Sequence, residues 1–189
     1  VQTCALPICY GQMAEAYRAE VDAFLSANWS PAADLRSADL KQYIREFRTK
    51  ATDQGYLYRA VPKIYGGSEQ PVDVIKAQVI REEFVRARAP MEVGGNGMNM
   101  TVPTLLEKGT EEQKDLFIRK PVEGEYIWGQ GYSAPGSGSD LASVRTKGVL
   151  SADGGKWIIN GQKIWTPQGR KAAHMSQPDT GRASCRERV

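Results

Sequence analysis

Apolar positions along the first part of the chain recur at helical spacing. Tyr17, Val21, Phe24 and Leu25 fall on one face of a helix expected over Gln12–Ala27, which Pro31 ends. A second helix is expected from about Ser37 to Gln54, with Leu40, Ile44 and Phe47 along its stripe and Gly55 as its C-terminal cap. Pro62, Gly66 and Gly67 make residues 61–68 a turn-rich connector, because Pro and paired Gly do not continue a helix. Pro71 fits the first turn of a third helix running through Val85, with Ile75, Val79 and Phe84 as its apolar line. Glu82 and Glu83 read as its solvated face, or as a place where one carboxylate meets a partner in the core. After the flexible run Gly94–Gly97, Met98, Met100 and Val102 either fill a core or line a pocket for a flexible chain. Thr104–Lys108 reads as a short helix stopped by Gly109. Thr110 with Gln113 then forms a capping box for a helix reaching about Arg119.

At Glu125 the period changes. Residues 126–132, 143–150 and 156–160 are strand-like, with a turn at Ala152–Gly155. Asn160-Gly161 is a strong hairpin signal leading into Gln162–Thr166. Helices followed by consecutive antiparallel strands imply an α+β multidomain chain: an all-α N-terminal domain, then the beginning of an antiparallel β-barrel or sandwich domain. The expected boundaries are 10–123 for the first and 124–179 for the second.

The 189 residues are 41% hydrophobic and 25% charged, as in an ordinary globular protein. No apolar run approaches the ~20 residues of a membrane helix, and the start carries no signal-peptide pattern, so a cytoplasmic setting is expected. Of the net charge of +3, three positive charges and one negative lie in residues 181–189, so the body carries +1. That excludes the clustered basic stripe of a nucleic-acid binder. Cys4, Cys9 and Cys185 all lie near the ends, which supports neither a disulfide framework nor a metal site. Apart from Thr180, the terminal segments resemble translated adapters of the kind ligated to DNA fragments for sequencing. Residues 1–9 and about 180–189 are therefore expected to be non-native tails.

His174 is the single histidine. A catalytic dyad or histidine-based metal site needs partners it lacks, so a surface or packing role is expected. Walker, zincin and Rossmann patterns are absent. The run Gln130–Asp140, QGYSAPGSGSD, is rich in glycine and serine. Converging backbone N–H groups and hydroxyls in such a run suit a phosphate or a heteroaromatic edge, though many such runs are only loops. Trp165 reads as core, the usual role of such a residue, or as a platform for a cofactor.

In this order the segments resemble the acyl-CoA dehydrogenase family across about residues 15–175. The matching landmarks are PKIYGG at 62–67, PTLLEKGTEEQK at 103–114, Gly124-Glu125, QGYSAPGSGSDLASVRT at 130–146 and NGQKIWT at 160–166. The resemblance implies a helical domain, a middle β domain and a C-terminal helical domain, with FAD between the last two. It gives flavin contacts to Gln130, Tyr132, Ser133 and Ser139 in the loop and to Trp165, Thr166 and Pro167 beside it. Ser139 also falls near the path of the acyl-CoA substrate.

The implied reaction is α,β-dehydrogenation of an acyl-CoA thioester in fatty acid β-oxidation. Electrons would pass to electron-transfer flavoprotein, and the full-length protein would be a homo-oligomer. The family's base comes from the C-terminal domain, so no catalytic residue and no metal ligand is assigned here. The chain is expected to be the inactive front part of such an enzyme, with an unpaired strand edge and exposed apolar surface. Two positions depart from the family pattern: Ala134 stands where Glu is usual, and Pro167 stands where a hydroxyl residue is usual. These departures keep open a non-catalytic acyl-CoA- or protein-binding relative; a flavin oxidase or monooxygenase on the same scaffold is a separate alternative.

Overall fold

The computed structural model describes residues 11–30 and 37–177. Both terminal tails and Pro31 lie outside the described residues. The chain divides after Glu92 into two compact units.

In the first unit, α1 (Gln12–Asn28), α2 (Ser37–Asp53) and α3 (Val74–Arg86) supply the core. Val21 and Leu25 of α1, Phe47 and Ala51 of α2, and Val79, Ile80 and Phe84 of α3 are all buried. Phe24, Phe47, Tyr56 and Phe84 form one aromatic cluster, with centroids 5.0 Å apart for Phe24–Tyr56 and 5.9 Å for Phe47–Phe84. The first two predicted helices are present, and Gly55 follows α2 at φ 83°, a left-handed conformation that glycine adopts without strain.

The third helix differs from expectation. It begins at Val74, not Pro71, because the Asp73 carboxylate accepts from the Lys76 N–H at 2.9 Å and fixes the start there. Its buried stripe is Val79, Ile80, Glu83 and Phe84, whereas Ile75 is half exposed.

Glu83 is not on the solvated face. It is 2% exposed and receives Arg18 at 2.6 Å and Arg86 Nε at 2.8 Å. Arg18 also donates to Glu82 at 2.7 Å, tying α1 to α3. Glu83→Gln should lower stability by about 2 kcal/mol in chemical denaturation. That is less than the roughly 3–5 kcal/mol of a fully buried broken pair, because both guanidinium groups reach water. An unchanged midpoint would mean that the pairing contributes nothing.

In the second unit a π-turn at Gly97–Thr101 leads into α4 (Val102–Lys108), followed by α5 (Glu111–Phe117) and α6 (Arg119–Glu123). The capping box predicted at Thr110 and Gln113 is formed in both directions. The last predicted helix is broken at Ile118 instead of running on to Arg119. Pro121 has no N–H to give the Phe117 carbonyl four residues back, and its ring crowds that carbonyl.

Four short strands follow: β1 (Trp128–Gln130), β2 (Lys147–Leu150), β3 (Trp157–Asn160) and β4 (His174–Ser176). The hairpin β2–β3 is antiparallel, with Lys147 opposite Asn160 and Leu150 opposite Trp157. Its predicted turn is present, with Asp153 accepting from Gly155 N–H at 3.1 Å. Both faces of this hairpin carry exposed apolar residues, including Val149, Trp157, Ile158 and Ile159. This matches the apolar surface expected of the β region.

Three strand expectations are corrected. β1 pairs with β4 in parallel, Trp128 opposite His174, not antiparallel with its sequence neighbour. The segment after Leu141 forms a 3-10 turn before β2, so that strand starts at Lys147 and not Ser143. Asn160-Gly161 makes no hairpin, because neither residue takes the positive φ that a two-residue turn requires. Instead the Ile164 N–H donates to the Ser133 carbonyl at 2.9 Å and carries the chain away from β3. Among the described residues the strands make two-stranded sheets, with no closed barrel.

Candidate functional site

The glycine- and serine-rich loop is anchored where it leaves β1, because successive N–H groups of an extended strand point to opposite sides. Gln130 N–H donates to the Pro167 carbonyl at 3.4 Å, and Gly131 N–H donates to the Ser176 carbonyl at 2.9 Å. Gly131 suits this crowded seam, since a Cβ there would lie 2.7 Å from Met175 Sδ. On the Pro167 side the register is antiparallel: Gln130 meets Pro167, and Ser133 accepts from Ile164 at 2.9 Å. Lys163 Nζ adds a bond to the Tyr132 carbonyl at 3.0 Å.

The loop then folds back on itself. Ala134 and Ser137 exchange backbone bonds of 2.8 and 3.0 Å. The Ser137 hydroxyl donates to the Asp140 carbonyl at 2.8 Å, and that of Ser143 donates to Gly136 and Asp140. The remaining donors face outward. The Ser133 and Ser139 hydroxyls and the N–H groups of Tyr132, Ser133, Gly136 and Gly138 have no partner among the described residues. A Cβ at Gly136 or Gly138 would meet nothing within 4 Å, so the rim is open.

Trp165 stands next to this seam, 83% exposed and at φ 52°. It is therefore not a core residue. An indole left in water and a side chain held in the left-handed region are both unfavourable in isolation. Thr166 and Pro167 continue into a turn closed by Gly169 N–H on the Thr166 carbonyl at 3.1 Å.

The structure thus brings Gln130, Tyr132, Ser133, Trp165, Thr166 and Pro167 together. Ser139 lies further along the loop, exposed and without a described contact to them. Pro167 lacks an N–H, but its carbonyl is the acceptor that anchors Gln130.

Two features were not legible in the sequence. Asn96 donates to the Gln130 side-chain carbonyl at 2.9 Å, and Gln130 Nε2 points to Met100 Sδ at 3.8 Å. Asn96 sits between glycines and read only as part of a flexible run. His174 has the expected packing role: its ring lies 4.7 Å from Tyr126, 5.1 Å from Trp128 and 5.3 Å from Phe117. Among the described residues no His, Cys, Asp and Glu group is arranged to hold a metal. No described helix is long and apolar enough to cross a membrane.

A helical segment thus leads into short paired strands, with an open Ser/Gly loop seamed to an exposed tryptophan turn. Residues 12–125 match the family model described as "Acyl-CoA dehydrogenase, N-terminal domain". The chain belongs to the acyl-CoA dehydrogenase family.

It is 47% identical over 96 residues to acyl-CoA dehydrogenase IpdE1 of Mycobacterium tuberculosis, a match covering 51% of this chain and 23% of that protein. In three dimensions it is similar to the ChsE4–ChsE5 complex of M. tuberculosis, with TM-score 0.62 and 29% identity over 93% of this chain and 44% of that one. It also shares the fold of a Bacillus anthracis acyl-CoA dehydrogenase solved with FAD, with TM-score 0.53 and 24% identity over 93% of this chain and 30% of that one. The chain therefore spans less than half the length of each of these relatives.

Proposed function

We propose that residues 10–123 and 124–179 are the helical domain and part of the flavin-binding β domain of an FAD-dependent acyl-CoA dehydrogenase. The observation that carries this reading is the seam joining residues 130–133 to 164–167, which makes the loop and the Trp165 turn one surface. Its outward hydroxyls and N–H groups fit the hydrogen-bonding edge and phosphates of FAD, and the exposed indole fits a flat ring system. When bound, FAD supplies a hydride acceptor for the β hydrogen of an acyl-CoA thioester.

The chain's own residues bind and orient. The Ser133 and Ser139 hydroxyls and the Tyr132 and Ser133 N–H groups would donate to bound FAD, and Trp165 with Thr166 would shield it from water. Gln130, held by Asn96 and by the Pro167 carbonyl, fixes where the loop begins. None of these groups removes the α proton, and no base is assigned. A cytoplasmic setting, electron-transfer flavoprotein as acceptor and a homo-oligomeric full-length protein belong to the same reading.

A second reading, a non-catalytic acyl-CoA-binding relative, is favoured by Ala134 and Pro167. Neither brings a side-chain donor, and the backbone of Ala134 is spent on Ser137.

Flavin binding by the complete protein separates the two. Ser133→Ala should weaken FAD binding roughly fivefold, the loss of one hydrogen bond of about 1 kcal/mol. Titration of the apoprotein with FAD reads this directly. An affinity that does not change with the substitution, or no binding in either form, counts against the assignment.

A further inference from the structure

A cavity of about 30 Å³ lies within the second unit, lined in part by Gly97, Met98, Pro121, Tyr126 and Trp128. Trp128 is 3% exposed, and its indole Nε1–H has no hydrogen-bond partner among the described residues. The Tyr126 hydroxyl is also buried without one. Trp128 packs its ring against the Gly97 backbone in this lining: a Cβ on Gly97 would lie 2.7 Å from Trp128 Cδ1 and 3.1 Å from its Cβ and Cγ, so only a glycine fits there.

Leaving a buried donor unmade costs about 1–3 kcal/mol, so two beside one cavity call for an occupant that satisfies both. Size limits the choice. A water needs ~10–15 Å³ of such space, and a drug-sized ligand occupies a pocket of ~300 Å³ or more. The room is for one or two heavy atoms.

Charge limits it further. Burial, with a smaller contribution from Glu125, holds the Tyr126 hydroxyl above its ordinary pKa, so it keeps its proton. The same negative neighbour disfavours an anion, and an indole N–H repels a cation. We propose that this cavity is a binding site for a single neutral acceptor oxygen, held by Trp128 Nε1–H and the Tyr126 hydroxyl.

The oxygen belongs either to a resident water or to the hydroxyl or carbonyl tip of a ligand. Its place matters for the neighbouring loop. Trp128 begins β1, the strand that ends at Gln130, and the Asn96 that holds Gln130 adjoins Gly97. The site is independent of whether the chain takes part in dehydrogenation.

Crystals of the 189-residue chain, examined in aqueous buffer and after soaking in propan-2-ol, test it. The expected result is an oxygen within about 3.2 Å of Trp128 Nε1. Replacement of that oxygen by the alcohol hydroxyl marks a ligand tip, and a water that persists marks a resident. No density at Nε1, or an indole that donates to a protein carbonyl, overturns the proposal.

In solution, Tyr126→Phe keeps the ring and removes only the hydroxyl. It should shift the Trp128 indole N–H resonance and leave those of Trp157 and Trp165 in place. An unmoved Trp128 signal also overturns the proposal.

Discussion

Phe84→Ala is expected to lower the stability of the helical unit by about 3–5 kcal/mol, the range for truncating a buried Phe. Phe84 has no exposed surface, and its ring packs 5.9 Å from Phe47 and 6.4 Å from Tyr56. Those rings belong to α2 and to the turn after it, so the lost side chain leaves a gap that neither neighbour can close without moving its backbone. Domains of this kind have a total stability of only about 5–15 kcal/mol. The substitution should therefore move the denaturant midpoint far or abolish folding of this unit. Ile75→Ala is the control: Ile75 is 50% exposed, and a change within about 0.5–1 kcal/mol is expected. Equal effects at the two positions would contradict the packing described.

Gly67→Ala should cost about 3 kcal/mol or more, through a different mechanism. A Cβ at Gly67 would lie 2.0 Å from the Val61 carbonyl oxygen and 2.5 Å from its carbon. Both are backbone atoms, and the Val61 carbonyl is already fixed by the Glu69 N–H at 3.0 Å. Relief requires opening the turn that buries Tyr65 and Ser68, whose hydroxyl donates to the Leu57 carbonyl at 2.8 Å. A fall in Tm of more than ~10 °C is expected by thermal denaturation. Gly136→Ala, where nothing lies within 4 Å, should leave Tm nearly unchanged. A tolerated alanine at Gly67 would show that the turn is not packed as described.

Both positions show what the sequence discloses and what it withholds. Periodicity located α1 and α2 because apolar residues recur at helical spacing and the ends carry ordinary signals, such as Gly55. Of the expected α2 stripe only Phe47 is buried, Ile44 being half-buried and Leu40 exposed. For α3 periodicity placed Val79 and Phe84 in the core, missed Ile80, put the half-exposed Ile75 there, and left open which of Glu82 and Glu83 meets a core partner, which is Glu83. Pattern reading assigns such a residue to solvent unless its partners are known, and Arg18 lies 65 positions away.

The same limit governs the strands. The turn at Ala152–Gly155 was legible because its residues carry their own chemistry. The parallel pairing of β1 with β4 depends on residues far apart in sequence, and Asn160-Gly161 was overruled by a distant carbonyl, that of Ser133. At the candidate site, the residue types were visible one by one. The seam that gathers six of the expected residues, and the Asn96 bond that holds Gln130, exist only in three dimensions. Ser139 was grouped with them by position in the chain and makes no described contact with them.

The central claim is that this chain contributes the flavin-facing loop of an acyl-CoA dehydrogenase. The most direct measurement is the absorbance spectrum of the complete protein, mixed without oxygen with a panel of acyl-CoA thioesters. The account predicts bound oxidised flavin whose visible band is bleached by at least one thioester, with the matching enoyl-CoA formed. A protein that binds no flavin, or whose flavin stays oxidised with every thioester, would contradict it.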